Sequence, residues 1–226
     1  MSTVLVVGAD RGIAHCISLQ LKERGDDVIA ACMVGNDELV AAGVRVEGGV
    51  DVTSQESVDT LVAKLEADGV SLDSVFHVAG VLGLDDLGSI DYDDFRRQIE
   101  INTIGPLRTV EAVRGLLHEG SKVGILTSRV GSLTDNTSGG MYAYRVSKAA
   151  ANMVVLNLHH DLAKQGISVL ALHPGMVATD LTKDYPGDYD YITPEQAAAG
   201  LISDVDGLTP ENAGRFQHSN GTYLPW

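Results

Sequence analysis

Basic residues, cysteines and long apolar runs are all scarce in this chain of 226 residues. Its 16 lysines and arginines stand against 31 aspartates and glutamates, which gives a formal net charge of -15. A surface this acidic repels a nucleic-acid backbone or an anionic membrane, so neither is expected as a partner. The acid excess is typical of a highly soluble surface, and adaptation to a salty habitat is the alternative.

The scarcity of cysteine also limits the chemistry that can be expected. Cys16 and Cys32 are the only two cysteines, and their spacing matches no metal or redox motif. Two buried thiols in a reducing cytosol account for them, and no metal site is expected. The apolar run at residues 3–7 is too short for a signal peptide or a membrane span. The sequence therefore predicts a cytoplasmic protein.

Short β-branched runs alternate with helical patterns along the chain. Residues 3–7 and 28–32 are apolar without alternation, which is typical of strands buried on both faces of a parallel sheet. Further strands are predicted at 44–47, 74–78, 122–127, 167–172 and 222–226, and helices after residue 12 and at 54–67, 92–118, 144–163 and 194–202. This order predicts one domain over residues 1–226, an α/β fold with a single doubly wound parallel sheet of the Rossmann type and helices on both faces.

A Gly-rich turn, Gly8 to Ala14, joins the first predicted strand to the first helix. Such a turn lets backbone N–H groups and the positive helix end approach a pyrophosphate, and an ordinary turn that holds glycines is the alternative. Ligands of open α/β sheets bind beyond the carboxyl ends of the strands. Gly8, Asp51, Gly80 and Ser128 all follow predicted strands, so we expect them to border one crevice.

Tyr144 and Lys148 lie four residues apart on a predicted helix and therefore on one face. A cation a few Å from a phenol favours phenolate and lowers the pKa of the tyrosine, which makes the pair a proton-transfer device. The alternative is a surface tyrosine beside a solvated lysine. Residues 176–192 lack periodicity and predict a mobile lid.

Together these features resemble the short-chain dehydrogenase/reductase family over nearly the full length. The segment from Ser128 to Gly140, followed by Tyr142-Ala143-Tyr144, and the pair Pro225-Trp226 are similar to its C-factor-like and insect carbonyl-reductase-like branch. The resemblance implies an NAD(P)-dependent oxidoreductase that transfers a hydride between a nicotinamide cofactor and a small carbonyl or alcohol substrate. A nucleotide-binding signalling or scaffold protein with incidental catalysis is the alternative. A homodimer or homotetramer is expected from the family and from a Tyr144 helix that is apolar on two sides.

The resemblance also implies roles for single residues. Tyr144 would be the general acid/base, Lys148 would lower its pKa and hold the nicotinamide ribose, and Ser128 would bind the substrate oxygen. Asn102 would anchor a water relay, although it could instead satisfy free backbone groups near Pro106, where we expect a helix kink. The implied cofactor-binding residues are Gly8, Asp10, Arg11, Gly12, Ile13, Met33, Asp51, Val52, Ala79, Gly80, Tyr144, Lys148, Pro174, Gly175, Val177 and Thr179.

Four residues depart from the family's pattern. Ala14 replaces the third glycine of the turn, Val7 replaces a threonine before it, and His77-Val78 replaces two asparagines. His77 is expected to be a core histidine and not a catalyst. We expect residues 82–87, 134–142 and 176–191 to form the substrate pocket.

The choice of cofactor depends on charge near the end of the second strand. An acidic residue there selects NAD through the ribose hydroxyls, and a basic one selects NADP. Cys32-Met33 is neither. Arg11 favours NADP(H), whereas Asp10 would repel a phosphate if it pointed inward, so NADP(H) is favoured and NAD(H) stays possible.

Overall fold

The computed structural model describes residues 1–185 and 187–226, and seven strands form one sheet in the order β3-β2-β1-β4-β5-β6-β7. The strands are β1 (Thr3–Val7), β2 (Asp27–Ala31), β3 (Arg45–Glu47), β4 (Leu72–His77), β5 (Leu117–Leu126), β6 (Ser168–His173) and β7 (Phe216–His218). All six pairings are parallel. Strand order reverses at β1 and β4, which opens a crevice at their carboxyl ends. The predicted doubly wound sheet is confirmed.

Helices cover both faces of the sheet. They are α1 (Gly12–Arg24), α2 (Asp37–Ala41), α3 (Gln55–Ala67), α4 (Tyr92–Ile99), α5 (Gly105–Val113), α6 (Tyr142–Leu162) and α7 (Pro194–Asp206). Alternate residues of β1 enter different core layers: Val4 and Val6 pack with α1, α2 and α7, while Leu5 and Val7 pack with α3, α5 and α6. None of the helices in the described ranges has the length and apolarity that crossing a membrane requires.

Local signals in the sequence account for several helix ends. Ser54 caps α3 by accepting from the Ser57 N–H, and Thr193 forms a capping box with Gln196 at the start of α7. Each such cap stabilises its helix by about 1 kcal/mol. Gly25 ends α1 in the left-handed conformation with φ of 97°. These ends confirm the helix starts predicted near residues 54 and 194.

The single helix predicted over 92–118 is wrong. Helix α4 ends at Ile99, a π-helical turn covers Glu100–Ile104, and α5 begins at Gly105 with Pro106 in its first turn. The expected irregularity near Pro106 is therefore a π turn, which proline tolerates because its missing N–H falls at a helix start. Residues 117–121 belong to β5, where Leu117 pairs with Leu72. Pairing with a distant strand overrides the helical pattern there.

The last strand is also misplaced in the prediction. It covers Phe216–His218, and residues 222–226 form no strand beyond one bridge between Tyr223 and Gln217. Trp226 stacks on Phe216 at 5.6 Å between ring centroids, so the predicted aromatic anchor is present. The carbonyl of Trp226 accepts from the Ser132 hydroxyl and from the Thr134 N–H, both at 3.1 Å. The tail thereby holds the segment that follows Ser128.

Candidate active site

Tyr144 and Lys148 are both buried on the inner face of α6, with relative exposures of 8% and 3%. The Lys148 Nζ atom lies 5.8 Å from the centre of the Tyr144 ring and donates to the Leu126 carbonyl at 3.1 Å. Leu126 ends β5, so the lysine is held at the carboxyl edge of the sheet. Asp85, from the loop after β4, holds the start of α6 by accepting from the Ala143 N–H at 3.1 Å. The alternative of a surface tyrosine beside a solvated lysine is therefore wrong.

Burial controls the protonation of both groups. It raises the pKa of Tyr144 to about 12, an effect that the Ser128 hydroxyl partly offsets. It also lowers the pKa of Lys148 to about 8. We expected Lys148 to lower the pKa of the phenol, but the loss of hydration on burial is the largest cause and the pKa is raised. Ser128 lies two residues beyond β5 and is 9% exposed, so phenol and hydroxyl face the same space.

Asn102 joins three segments beneath this pair. From the π turn its side chain accepts from the Val81 N–H at 2.8 Å and donates to the Val81 carbonyl and the Ser147 hydroxyl, both at 2.9 Å. The Ser147 hydroxyl in turn donates to the Tyr144 carbonyl at 2.8 Å. The side-chain bonds of Asn102 go to Val81 and Ser147 and not to the backbone near Pro106, and its role in a water relay stays a prediction. No pattern in the sequence indicates the part played by Ser147.

Three glycines border the crevice, and the atoms near each one show where a larger side chain would not fit. A Cβ added to Gly8 would lie 2.7 Å from the Ala79 Cα, and one added to Gly80 would lie 3.2 Å from Asn102 Oδ1 and 3.4 Å from Lys148 Nζ. At Gly12, where φ is 62°, the nearest atom to an added Cβ is Thr179 Cγ2 at 3.8 Å. Glycine is therefore required where β1 meets β4, a side chain at position 80 would crowd Asn102 and Lys148, and the start of α1 stays open.

These residues fit a nicotinamide dinucleotide. The N-terminus of α1, at Gly12 and Ile13, offers free backbone N–H groups to a pyrophosphate. Tyr144 and Lys148 lie at the other end of the crevice, where their hydroxyl and ammonium could hold a ribose. Ala14, the departure from the glycine pattern, is 1% exposed and packs into the core. The substitution therefore leaves the turn open.

Asp51, Val52 and Met33, three of the residues that the resemblance implies for cofactor binding, differ in how they are held. Asp51 accepts from the Thr53 N–H at 2.8 Å and from its hydroxyl at 2.7 Å. Val52 is 7% exposed, and its Cγ2 would lie 3.0 Å from a Cβ added to Gly105. Met33, just past β2, is 57% exposed. These residues surround the carboxyl end of β2, on the far side of the Gly-rich turn from Tyr144.

A cavity of about 810 Å³ lies above Tyr144. The three segments predicted to form the substrate pocket all contribute to its walls, although Pro186 in the third lies outside the described residues. The segment after β6, whose residues the resemblance implies for cofactor binding, lines the cavity with Pro174, Gly175, Val177 and Thr179. Tyr142, the other phenol near this helix start, does not line the cavity.

Two histidines at the cavity were not predicted. His173 and His218 stack edge to face with ring centroids 4.8 Å apart, and both line the cavity. Burial lowers the pKa of His173 to about 3, and its neutral Nδ1 accepts from the Arg129 N–H at 3.3 Å. His77, predicted to be a core histidine, is 1% exposed in β4, and burial lowers its pKa to about 3.

Comparisons with known proteins place this geometry in context. The family model described as short chain dehydrogenase matches residues 2–190. The 1-hydroxy-2-glutathionyl-2-methyl-3-butene dehydrogenase of Rhodococcus sp. (strain AD45) is 74% identical over 226 residues, covering 100% of both chains. The C-signal protein of Myxococcus xanthus is 43% identical over 159 residues, which cover 69% of this chain and 93% of that protein. The crystal structure of a carbonyl reductase from Pseudomonas aeruginosa PAO1 in complex with NADP has a TM-score of 0.84 at 29% identity, covering 100% of both chains.

Proposed function

The chain belongs to the short-chain dehydrogenase family and is an NAD(P)-dependent oxidoreductase, and from that premise we propose that it oxidises the primary alcohol of a glutathione thioether to the aldehyde. The proposal is supported by the end-to-end identity of 74% with a dehydrogenase whose name specifies a glutathionyl-substituted hydroxybutene. In this reaction the alcohol loses a hydride from its carbon and a proton from its oxygen. A bound NAD(P)⁺ would accept the hydride.

The chain's own residues supply the proton chemistry. Tyr144 as phenolate takes the proton from the alcohol oxygen, and Ser128 donates a hydrogen bond to that oxygen to orient it. The positive charge of Lys148 favours the phenolate and holds the ribose, and Asn102 anchors the path by which the proton leaves. The carbonyl-reducing direction uses the same groups with Tyr144 as the acid.

The observation that carries the proposal is the buried group of Tyr144, Lys148 and Ser128 below a cavity of about 810 Å³. The cavity is shared by the residues assigned to the cofactor and by the segments predicted to bind the substrate, so both ligands would meet beside Tyr144. The lining carries both signs of charge, with Arg129 and Arg145 beside Asp86, Asp135 and Asp190. A glutathionyl group carries two carboxylates and one ammonium, so a lining of mixed charge suits it better than it suits a hydrocarbon alcohol.

The test is reduction of NAD(P)⁺ with a synthetic 2-glutathionyl primary alcohol, compared with the same alcohol carrying a methylthio group. We expect kcat/KM to be higher for the conjugate, and Tyr144→Phe to lower kcat by about 10²- to 10⁴-fold, because the phenol oxygen is the base. Tyr142→Phe is the matched control and should retain the wild-type rate. Equal kcat/KM for the two alcohols would refute the substrate, and an active Tyr144→Phe enzyme would refute the base.

A second candidate, a signalling or scaffold role, is favoured only by the 43% identity with the C-signal protein. The complete buried set of Asn102, Ser128, Tyr144 and Lys148 speaks against it, since a binding protein has no use for a tuned phenol. Full biological activity of Tyr144→Phe would support this second role.

Finer features of the enzyme rest on separate observations. Arg11 and the NADP-bound neighbour support NADP(H), the cofactor favoured from the sequence, whereas the position of Asp10, described in the next subsection, supports NAD(H). A homodimer or homotetramer is supported by two exposed apolar residues of α6. Val146 is 45% exposed and Met153 is 58% exposed. The cytoplasmic location stays a prediction from the two unpaired cysteines.

A further inference from the structure

The turn after β2 carries no acidic residue in sequence, yet the structure places one there. Asp10, from the Gly-rich turn after β1, directs its carboxylate to the backbone just past β2. Its oxygens accept from the N–H groups of Met33 at 2.9 Å, Val34 at 2.8 Å and Gly35 at 3.3 Å. The acid therefore reaches the end of β2 from a different strand.

Asn36 also ties the Gly-rich turn to the loop after β2. Asn36 donates from its side chain to the Asp10 carbonyl at 2.9 Å and caps α2 by accepting from the Leu39 N–H at 3.0 Å. All three donors to the carboxylate are neutral backbone groups. The charge of Asp10 also affects the neighbouring Cys32. Burial is the larger cause and the Asp10 charge the smaller one, and together they raise the pKa of that thiol to about 11.

The charge lies where the cofactor's adenosine ribose is recognised in this fold. An acid at the end of β2 accepts hydrogen bonds from the ribose hydroxyls and repels a 2′-phosphate. We propose that Asp10 supplies this acid from the Gly-rich turn and makes the site select NAD(H) over NADP(H). Arg11 has an exposed side chain and acts in the opposite sense. Asp10 is partly buried and held by three hydrogen bonds, and this fixed position decides the preference.

The test measures cofactor binding without any alcohol, so its outcome is independent of the proposed substrate. Nicotinamide fluorescence and thermal shift would be followed while NADH and NADPH are titrated into the whole protein. We expect the wild type to bind NADH more tightly. In Asp10→Asn, which keeps an acceptor oxygen for the loop, the ratio of the two Kd values should shift toward NADPH by at least about tenfold, because a charge within a few Å of a phosphate is removed.

Arg11→Gln is the matched variant in the same turn, and it should shift the ratio in the opposite direction. Tighter binding of NADPH than NADH by the wild type would overturn the proposal. Equal weakening of both cofactors in Asp10→Asn would also overturn it, since the carboxylate would then only cap the loop. A Kd ratio that moves in Asp10→Asn while the Tm of the cofactor-free protein holds would support the selective role.

Discussion

Tyr144 must lose its phenolic proton before it can take one from an alcohol, and burial opposes that loss by raising its pKa to about 12. Oxidation needs the basic form, so kcat/KM for the alcohol should rise with pH. Reduction needs the acid form, so its kcat/KM should fall as pH rises through the same pKa. The positive nicotinamide ring of a bound NAD(P)⁺ would favour phenolate and lower this pKa toward the working range.

Removing the Lys148 charge should also move the pH profile. In Lys148→Met the apparent pKa for alcohol oxidation should rise by about one to three units, since a cation beside the phenol is lost. The loss of rate should be large at neutral pH and shrink at high pH, as measured by kcat/KM across a pH series. Lys164→Met, at a surface lysine paired with Asp161, is the control and should leave the profile in place. A uniform loss at every pH would leave Lys148 with a role in ribose binding alone.

Single residues differ in how far the sequence reveals them. The spacing of Tyr144 and Lys148 predicts their common face because a helix has a fixed period. The bonds of Asp10 were beyond prediction, since they join residues 23 to 25 apart in sequence through a turn between different strands. The lowered pKa of His173 depends likewise on which segments bury it.

At the scale of elements, the turn from β1 to α1 depends on Gly8 for two reasons. Its φ is 86°, which is unfavourable for other residues, and an added Cβ would lie 2.7 Å from the Ala79 Cα. We expect Gly8→Ala to lower the free energy of unfolding by about 3 kcal/mol or more, combining conformational strain with overpacking.

Gly25 separates the two causes. It has φ of 97° with nothing within 4 Å of an added Cβ, so Gly25→Ala carries the strain alone. It should cost about 1–2 kcal/mol. Urea unfolding of both variants gives the comparison, and equal losses would mean that contact with Ala79 contributes nothing.

Elements were predictable where their signals are local. Ser54 and Thr193 predict helix starts because an N-cap bonds only to the next three residues. The π turn at Glu100–Ile104 and the early start of β5 were missed, because the first depends on Asn102 bonding to Val81 and Ser147 and the second on Leu117 pairing with Leu72. Contacts between distant segments decide both.

At the scale of the whole molecule, buried neutral histidines make the fold sensitive to acid. Burial lowers the pKa values of His77 and His173 to about 3, from an ordinary value of 6.5. Between pH 6.5 and about 3, these two histidines are therefore protonated in the unfolded chain and neutral in the folded chain. Stability is fully present above pH 6.5 and is lost as pH falls toward 3.

His77→Asn tests this linkage. In the wild type His77 should contribute up to about 1.4 kcal/mol of lost stability per pH unit between those values, and the variant should lack that contribution. The measurement is the free energy of urea unfolding at several pH values. His160→Asn, at an exposed position on α6, should keep the wild-type slope. Identical slopes for wild type and His77→Asn would show that His77 takes up its proton in the folded state.

The hydrogen bonds from Ser132 and Thr134 to the Trp226 carbonyl can form only after the last residue has been synthesised. The Gly-rich turn, Asp10 and the end of β2 contact one another within about 25 residues of chain, so they can form soon after they leave the ribosome. The hydrogen-bond partner of the Ser132 hydroxyl, the Trp226 carbonyl, lies 94 residues later in the sequence. Closing so long a loop is slow, and the contacts it needs come late. The turn that faces the nucleotide end of the crevice can therefore form well before the wall beside Ser128.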